Sequence, residues 1–454
     1  MLIKIPDEAR RIIYALESNG FEAYVVGGCV RDRLLGFEPD DWDICTSALP
    51  DDIKKCFEGE NLIDTGLKHG TVTLMRGNKP FEITTYRVDG KYRDNRRPES
   101  VKFVDVLKRD LARRDFTINA MAYHPERGLV DYYTGRQDLA EGKIKCVGNP
   151  NKRFGEDALR IVRALRFAST LGFSVEDGTA QAALTHRGLL RNIAAERLNV
   201  EFNKLLLGDG AVDIISVHLP IIFEIIPELE TLKGLAPTDA NHCHDMLTHA
   251  LMRVNASPKD LVIRLTLLLH DIGAAVSPTD ERADSLFAYS QIGSEMAEKL
   301  LTRLKYDNDT INTVTQLILY HNTELLADKP QIKRLLNVMG EKKFRLLLEV
   351  KRADALAGVS ADALARSEVC HRETLDELDA IATLTDEIIN NKECFSLKDL
   401  AVSGKDLIAA DIPQGVRIGK TLNKLLQMVI NEETCNEKER LLEIALNEQG
   451  VQYE

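Results

Sequence analysis

Tryptophan is almost missing from this chain: Trp42 is the single one in 454 residues, and aromatics together reach only 6%. Apolar runs are short. None approaches the roughly 18 residues that a membrane-spanning helix requires, so no spanning segment is expected. The opening MLIKIPDEARRIIYALESNG reads as an amphipathic helix with acids in it. It has no compact apolar stretch followed by small residues, so a secretory signal is not expected. The eight cysteines are scattered and never form CxxC, which points to reduced thiols and a cytoplasmic location rather than a disulfide framework. Internal repeats and low-complexity tracts are missing as well. What is there, 44% hydrophobic and 29% charged residues, is the composition of a soluble globular protein with about two to four domains.

The net charge of −12 argues at first against a nucleic-acid partner. Its distribution says otherwise. Residues 1–204 hold 33 Lys and Arg against 31 Asp and Glu, whereas the remainder holds 26 against 40. Any phosphate-binding surface is therefore expected mainly in the first half, on local basic stretches.

The first 140 residues mix strand and helix signals. EAYVVGG is a short apolar strand ending in glycines, VRDRLLG is helical, DWDICTS is extended, and PDDIKKCFE is helical with Pro50 near its start. GTVTLMRGNKPFEITTYRV reads as a hairpin turning at Gly-Asn-Lys-Pro. From about residue 153 onward, i, i+3, i+4 apolar spacing gives helix after helix, with breaks near Gly208-Asp209-Gly210, near Leu235-Ala236-Pro237 and around 370–395. The expected fold class is an α/β head followed by an all-α body.

Gly27-Gly28 follows a strand and precedes Val30-Arg31-Asp32 at a helix start. Glycines let a ligand approach the backbone, and a helix start offers N–H donors to phosphate; Arg31 adds a cation. Ten residues beyond Arg31 stands Asp41-Trp42-Asp43. In an extended segment residues i and i+2 share a face, and two carboxylates so placed repel unless a cation lies between them. Oxygen ligands of this kind suit Mg²⁺ shared with substrate phosphates. A glycine pair alone marks a turn more often than a ligand site, and DxD alone is common in turns. In sequence they place a phosphate cradle beside a metal pair, which in-line phosphoryl transfer requires. Glu82, in the strand FEITTY, is the candidate third acid.

The ordered set VVGGCVRDRLLG, DDWDICTS, ARRDFTINAMAY, DYYTGRQDL, GEDALRIVRALRFAS and AAERLNVEF resembles the motifs of the class II CCA-adding enzymes and bacterial poly(A) polymerases. The resemblance is strong over about residues 20–205 and looser beyond. It implies a polymerase-β-like nucleotidyltransferase head with Asp41 and Asp43 as magnesium ligands, and with Gly28 and Arg31 on the triphosphate. It further implies that Arg114, Asp115 and Asn119 organise the incoming nucleotide. The residues agree chemically, since guanidinium forks suit phosphate and a carboxylate accepts from a ribose hydroxyl. Asp157, Arg160, Arg163 and Arg166 recur every three residues and are expected on one stripe of one helix. In the family an Asp–Arg pair reads C or A without a nucleic-acid template; Asp157 and Arg160 match it, with Arg163 and Arg166 in support. An i, i+3 surface ion pair is the plainer alternative. The charged stretch VDGKYRDNRRPESVK reads as a solvated, mobile loop. A flexible loop at this place in the family is tied to the switch from C to A addition.

His249, His270-Asp271 and Asp354 resemble the HD metal-site pattern, with His321 as a possible extra ligand. Ser290 and Ala274 stand where related enzymes commonly carry His and Lys, and His242 and His244 lie nearby. The resemblance implies a nucleotidyltransferase head over 1–140, a nucleotide-selecting and RNA-binding neck over 141–208, an HD-like helical body over 209–370 and a helical tail over 371–454. It implies CCA addition to tRNA from CTP and ATP. Poly(A) polymerase and A-only transferase share these motifs and stay open, as do an HD phosphohydrolase and a non-catalytic RNA-binding module.

Overall fold

The computed structural model describes residues 3–90, 100–236, 245–275, 283–357 and 364–450. Residues 91–99 of the charged loop, and His242 and His244, lie outside them. The chain forms two compact units, Met1–Pro227 and Glu228–Glu454.

In the first unit, α1 (Asp7–Ser18) begins after Pro6 and buries Ala9, Ile12, Ile13 and Leu16. That i, i+3, i+4, i+7 stripe is what the N-terminal pattern predicts, and each large aliphatic removed from water contributes roughly 1.5–3 kcal/mol. The chain continues through β1 (Ala23–Val26), α2 (Gly28–Leu34), β2 (Ile44–Thr46), α3 (Pro50–Cys56), β3 (Leu62–Gly66), β4 (Thr71–Arg76) and β5 (Lys79–Thr85). There follow β6 (Arg87–Asp89), β7 (Val101–Phe103), α4 (Leu107–Ala112), β8 (Met121–His124) and β9 (Gly128–Asp131). Seven strands form one mixed sheet in the order β3-β4-β5-β2-β1-β8-β9. β1 is buried along its whole length, as a central strand covered on both faces must be.

Register places the acids. β1 and β2 run antiparallel with Val25 opposite Ile44, and β2 and β5 run parallel with Ile44 beside Ile83. Asp43 and Glu82 each precede that pair by one residue, so neighbouring strands carry them to the same level. The β4–β5 turn is shorter than expected: Arg76 pairs with Lys79, leaving Gly77-Asn78 as a two-residue turn with Gly77 at φ +60°. Pro80 lies inside β5 opposite Met75, not in the turn.

Helices then dominate: α5 (Gly135–Ala140), α6 (Pro150–Glu156), α7 (Leu159–Leu171), α8 (Asp177–His186) and α9 (Ala195–Leu206), with a short parallel pair of β10 (Lys143–Ile144) and β11 (Ser174–Val175). α10 (Ala211–Val217) and α11 (Leu219–Ile225) complete the first unit. α7 packs on α9; Ser169 Oγ donates to the Leu205 carbonyl at 2.7 Å, and a side chain at Gly208 would collide with Ser169.

The second unit is helical. It contains α12 (Met246–Ala256), α13 (Leu261–Leu269), α14 (Ala283–Arg303), α15 (Asn308–Tyr320), α16 (Lys329–Ala357, broken at Gly340), α17 (Leu364–Asn390), α18 (Gly404–Ala409), α19 (Val416–Ile430) and α20 (Lys438–Gly450). The break expected around 370–395 comes at the far end of that interval, because α17 runs unbroken to Asn390. No Gly or Pro interrupts it, and Leu378, Ile381 and Ile388 are buried at helical spacing. No described helix is long and apolar enough to cross a membrane.

Candidate active site

A cleft of about 220 Å³ in the first unit is lined by Val26, Asp43, Ile44, Thr71, Glu82, Thr84, Arg87, Arg113 and Arg114. Its lining gathers the end of β1, the start of β2 and the middle of β5. Gly27 leaves β1 at φ +87° and ψ −131°, a backbone setting that only glycine takes without strain. It sets the start of α2 beside Arg114. A Cβ at Gly27 would stand 2.8 Å from Arg114 Nη1, whereas one at Gly28 would meet only Arg31 Nη2 at 3.7 Å. Sequence reasoning named Gly28; the sterically demanding member of the pair is Gly27.

Asp43 is partly buried and Asp41 and Glu82 are exposed. Burial, reinforced by Asp41 and Glu82 and opposed by Arg114, pushes the Asp43 carboxyl up to about 6. A carboxyl raised by burial and by neighbouring carboxylates is the donor chemistry of a hard divalent cation, so these residues fit one. Asp41 and Asp43 lie just ahead of β2 rather than within it. The oxygens of Asp41, Asp43 and Glu82 do not all come within 4.8 Å of one another.

The arginines are each held by a carboxylate. Asp110 is fully buried; its Oδ1 accepts from Arg113 Nε and Nη2 at 3.0 and 2.8 Å, and its Oδ2 lies 3.6 Å from Arg114 Nη2. Asp115 Oδ2 accepts from Arg163 Nε and Nη2 at 3.0 and 2.7 Å. Burial alone would raise Asp115; the Arg163 guanidinium outweighs it and holds the carboxyl down at about 2. Asp115 Oδ1 accepts from Asn119 Nδ2 at 3.2 Å, and Asn119 Oδ1 accepts from Arg31 Nη1 at 2.7 Å. Arg31, Asn119, Asp115 and Arg163 thus form one hydrogen-bonded chain from the glycine turn to α7. The guanidiniums of Arg31, Arg163 and Arg166 lie 4.9, 5.3 and 3.7 Å from the Phe167 ring.

One expectation about this region fails. Asp157 is not on the helix of Arg160, Arg163 and Arg166; it sits in the extended break between α6 and α7 at φ −137° and ψ 105°. Its Oδ1 accepts from the Leu159 amide at 3.1 Å, and its Oδ2 from Arg197 Nη2 at 3.0 Å. A short carboxylate that bonds the amide two residues on favours such a break over helix interior. Arg160 donates to Glu156 Oε2 at 2.9 Å and to the Arg113 carbonyl at 3.1 Å. Sequence reasoning assigned no role to Asp110, Phe167, Arg197 or Glu201. The last two stand in the quoted AAERLNVEF stretch, where opposite charges four apart look like an ordinary surface pair.

In the second unit, His249, His270 and Asp271 are the described set of three potential ligands lying within 4.8 Å of one another. His270 Nε2 is 3.0 Å and His249 Nδ1 3.4 Å from Asp271 Oδ2, and Tyr289 donates to Asp271 Oδ1. The expected fourth acid is engaged elsewhere: Asp354 pairs with Arg253, whose guanidinium also contacts the His249 ring. Burial, with His270 adding, lowers His321 to about 4, and Ser290 accepts from Asn322 at 3.1 Å.

A mixed-sheet, polymerase-β-like head with a strand-edge acid cluster, a glycine turn and clamped arginines defines a nucleotidyltransferase, a class that works with a divalent metal. Family models agree along the chain. Residues 23–145 match "Poly A polymerase head domain", 172–217 match "Probable RNA and SrmB- binding site of polymerase A", and 278–445 match tRNA nucleotidyltransferase domain 2. The CCA-adding enzyme of Lactiplantibacillus plantarum is 33% identical over 98% of each chain, and that of Levilactobacillus brevis is 35% identical over 96% of this chain and 98% of its own. The solved Bacillus stearothermophilus CCA-adding enzyme in complex with CTP is 29% identical, covers 98% of both chains and superposes with a TM-score of 0.68. The chain belongs to the CCA-adding enzyme family of template-independent RNA nucleotidyltransferases.

Proposed function

We propose that this chain adds C, C and A to the 3′ end of tRNA from CTP and ATP, with Mg²⁺ as its metal. The observation that carries the reading is the meeting of Asp43, Glu82 and Arg114 around one cleft, with Gly27 set against Arg114, in a chain related over nearly its whole length to CCA-adding enzymes. Asp41 and Asp43 would hold the cation. Bound there, it neutralises the triphosphate and makes the attacking hydroxyl more acidic. The chain's own residues do the rest. Amides at the start of α2 and the guanidiniums of Arg31 and Arg114 orient the phosphates, so that the terminal 3′ hydroxyl of the RNA meets the α-phosphate in line and pyrophosphate departs. Glu82 assists at the attacking oxygen. Asp115 and Asn119 fix the ribose end, while Asp157 and Arg160 present acceptor and donor to the base edge, with Arg163 and Arg166 in support.

On this reading residues 1–140 are the catalytic head, 141–208 the selecting and RNA-binding neck, and 209–370 and 371–454 a helical body and tail. The protein works in the cytoplasm, in keeping with its free described cysteines. The test offers tRNA transcripts ending before CCA with CTP, ATP or both, and sequences the products. Addition of three nucleotides that needs both substrates is the expected result. Long A tracts would mark a poly(A) polymerase instead, and a single A on tRNA-CC an A-only enzyme.

A further inference from the structure

Helix α9 is placed to hold the selecting residues from behind. Arg197 and Glu201 stand four residues apart on it, one turn on the same face, with opposite charges that ordinarily pair with each other. Here neither takes the other. Arg197 Nη2 grips Asp157 Oδ2 at 3.0 Å. Glu201, 8% exposed, accepts from Arg163 Nη1 at 3.3 Å with Oε1 and forms an ion pair with Arg166 Nε at 2.8 Å with Oε2. The charges on α9 therefore run opposite to those they face: a cation against the selecting acid, an acid against the supporting cations. Burial, with the neighbouring Arg163 and Arg31 adding and Glu201 opposing, lowers Arg166 to about 10.

Reading a base with side chains alone requires that donors and acceptors stay where they are. Cytosine offers an amino donor beside a ring-nitrogen acceptor, and uracil the reverse, so a carboxylate and a guanidinium discriminate only if neither swings to accommodate the other pattern. With Oδ1 on the Leu159 amide and Oδ2 on Arg197, the Asp157 carboxylate is fixed at both oxygens. We infer that Arg197 and Glu201 are positioning residues for nucleotide choice: α9 sets the orientation of Asp157, Arg163 and Arg166, and thereby which base is accepted. This rests on the reading that Asp157 and Arg160 meet the base.

The test compares kcat/KM for CTP and UTP on a tRNA transcript ending before CCA, for the full-length protein and its Arg197→Lys, Glu201→Gln and Arg166→Gln variants, alongside Glu201→Gln with Arg166→Gln. Wild type should prefer CTP. Arg197→Lys and Glu201→Gln should each cut that preference by about ten- to a hundredfold, because a displacement of about 1 Å has effects of that size. The loss should appear chiefly in KM for CTP. The double variant should lose less than the two single losses combined, since Glu201 acts in part through Arg166. A uniform fall for both nucleotides with the preference intact, or additive losses in the double variant, would overturn the inference. Wild type using UTP as well as CTP would instead sink the underlying reading of Asp157 and Arg160. Should Glu201→Gln fail to fold, Arg197→Lys, which keeps charge and stem, decides the question alone.

Discussion

Replacing Gly27 by alanine should damage the enzyme twice, and replacing Gly28 should not. At φ +87° and ψ −131° an L-residue costs on the order of 1–3 kcal/mol. The new methyl group would also lie 2.8 Å from Arg114 Nη1, about 1 Å inside ordinary contact. Arg114 gives way more easily than the backbone, because its contacts with Asp110 at 3.6 Å and with the Asn119 carbonyl at 3.5 Å are long. Its guanidinium then leaves its place in the cleft, for a loss of about a hundredfold in kcat/KM. Gly28 is already helical, and its Cβ would meet only Arg31 at the ordinary contact distance of 3.7 Å, so alanine there brings neither backbone strain nor collision. Trp42 makes the comparison direct, since the single tryptophan lies between the two aspartates and its fluorescence reports the first unit alone. Urea unfolding should show Gly27→Ala less stable by about 2 kcal/mol and Gly28→Ala no less stable than wild type, with the larger loss of CTP incorporation in Gly27→Ala. Equal effects at the two positions, or a worse result at Gly28, would refute the reasoning.

Other expectations follow from the charged groups. Asp43→Asn should abolish nucleotide addition. In metal-free buffer it should also stabilise the fold, because an acid at about 6 instead of 3.8 is protonated more readily folded than unfolded; native stability therefore falls as pH rises from 3.8 through 6, by at most about 3 kcal/mol. Urea midpoints at pH 5 and 7.5 should separate wild type from Asp43→Asn more at the higher pH; a gap that does not grow with pH contradicts this. Asp115→Asn should cost about 1.5–3 kcal/mol by weakening the charged hydrogen bonds to Arg163, which keeps Glu201 as a partner. The wild-type pair is fully effective above 3.8 and fails only as pH falls through about 2, so the difference between the two proteins in urea should be constant from pH 5 to 8. In the second unit, Arg253 engages both Asp354 and His249, so wild type should release no phosphate from model phosphoesters with divalent metals. Rapid metal-dependent hydrolysis would show that the guanidinium yields its place.

Local chemistry made much of the head legible. A four-residue apolar strand followed by two glycines, a DxD ten residues on, and an Arg-Arg-Asp cluster each impose a constraint within a few residues, and the sheet register brings them together. The helical stripe of Arg160, Arg163 and Arg166 was legible for the same reason. Asp157 was not, because three-residue spacing cannot tell a helix start from the extended residue before it; the deciding bonds are those to the Leu159 amide and to Arg197, forty residues away. Asp110 escaped notice because it precedes the arginines it holds by one helical turn and looks like any solvent-facing acid, yet it is wholly buried. Gly27 and Gly28 were indistinguishable until φ separated them.

The same pairings explain how an acidic protein assembles a site for polyanions. Arg31 is paired with Asp32, Arg113 and Arg114 with Asp110, Arg163 with Asp115, and Arg166 with Glu201. Counted locally, the cluster is close to neutral. Its arginines are therefore held in place without the mutual repulsion that a bare basic patch suffers. Affinity from bulk charge attracts every nucleotide equally, whereas fixed forks of donors favour the one whose acceptors match. A neutral, bonded-down cluster gives up general attraction for discrimination, which is the trade an enzyme must make when no template strand corrects its choice.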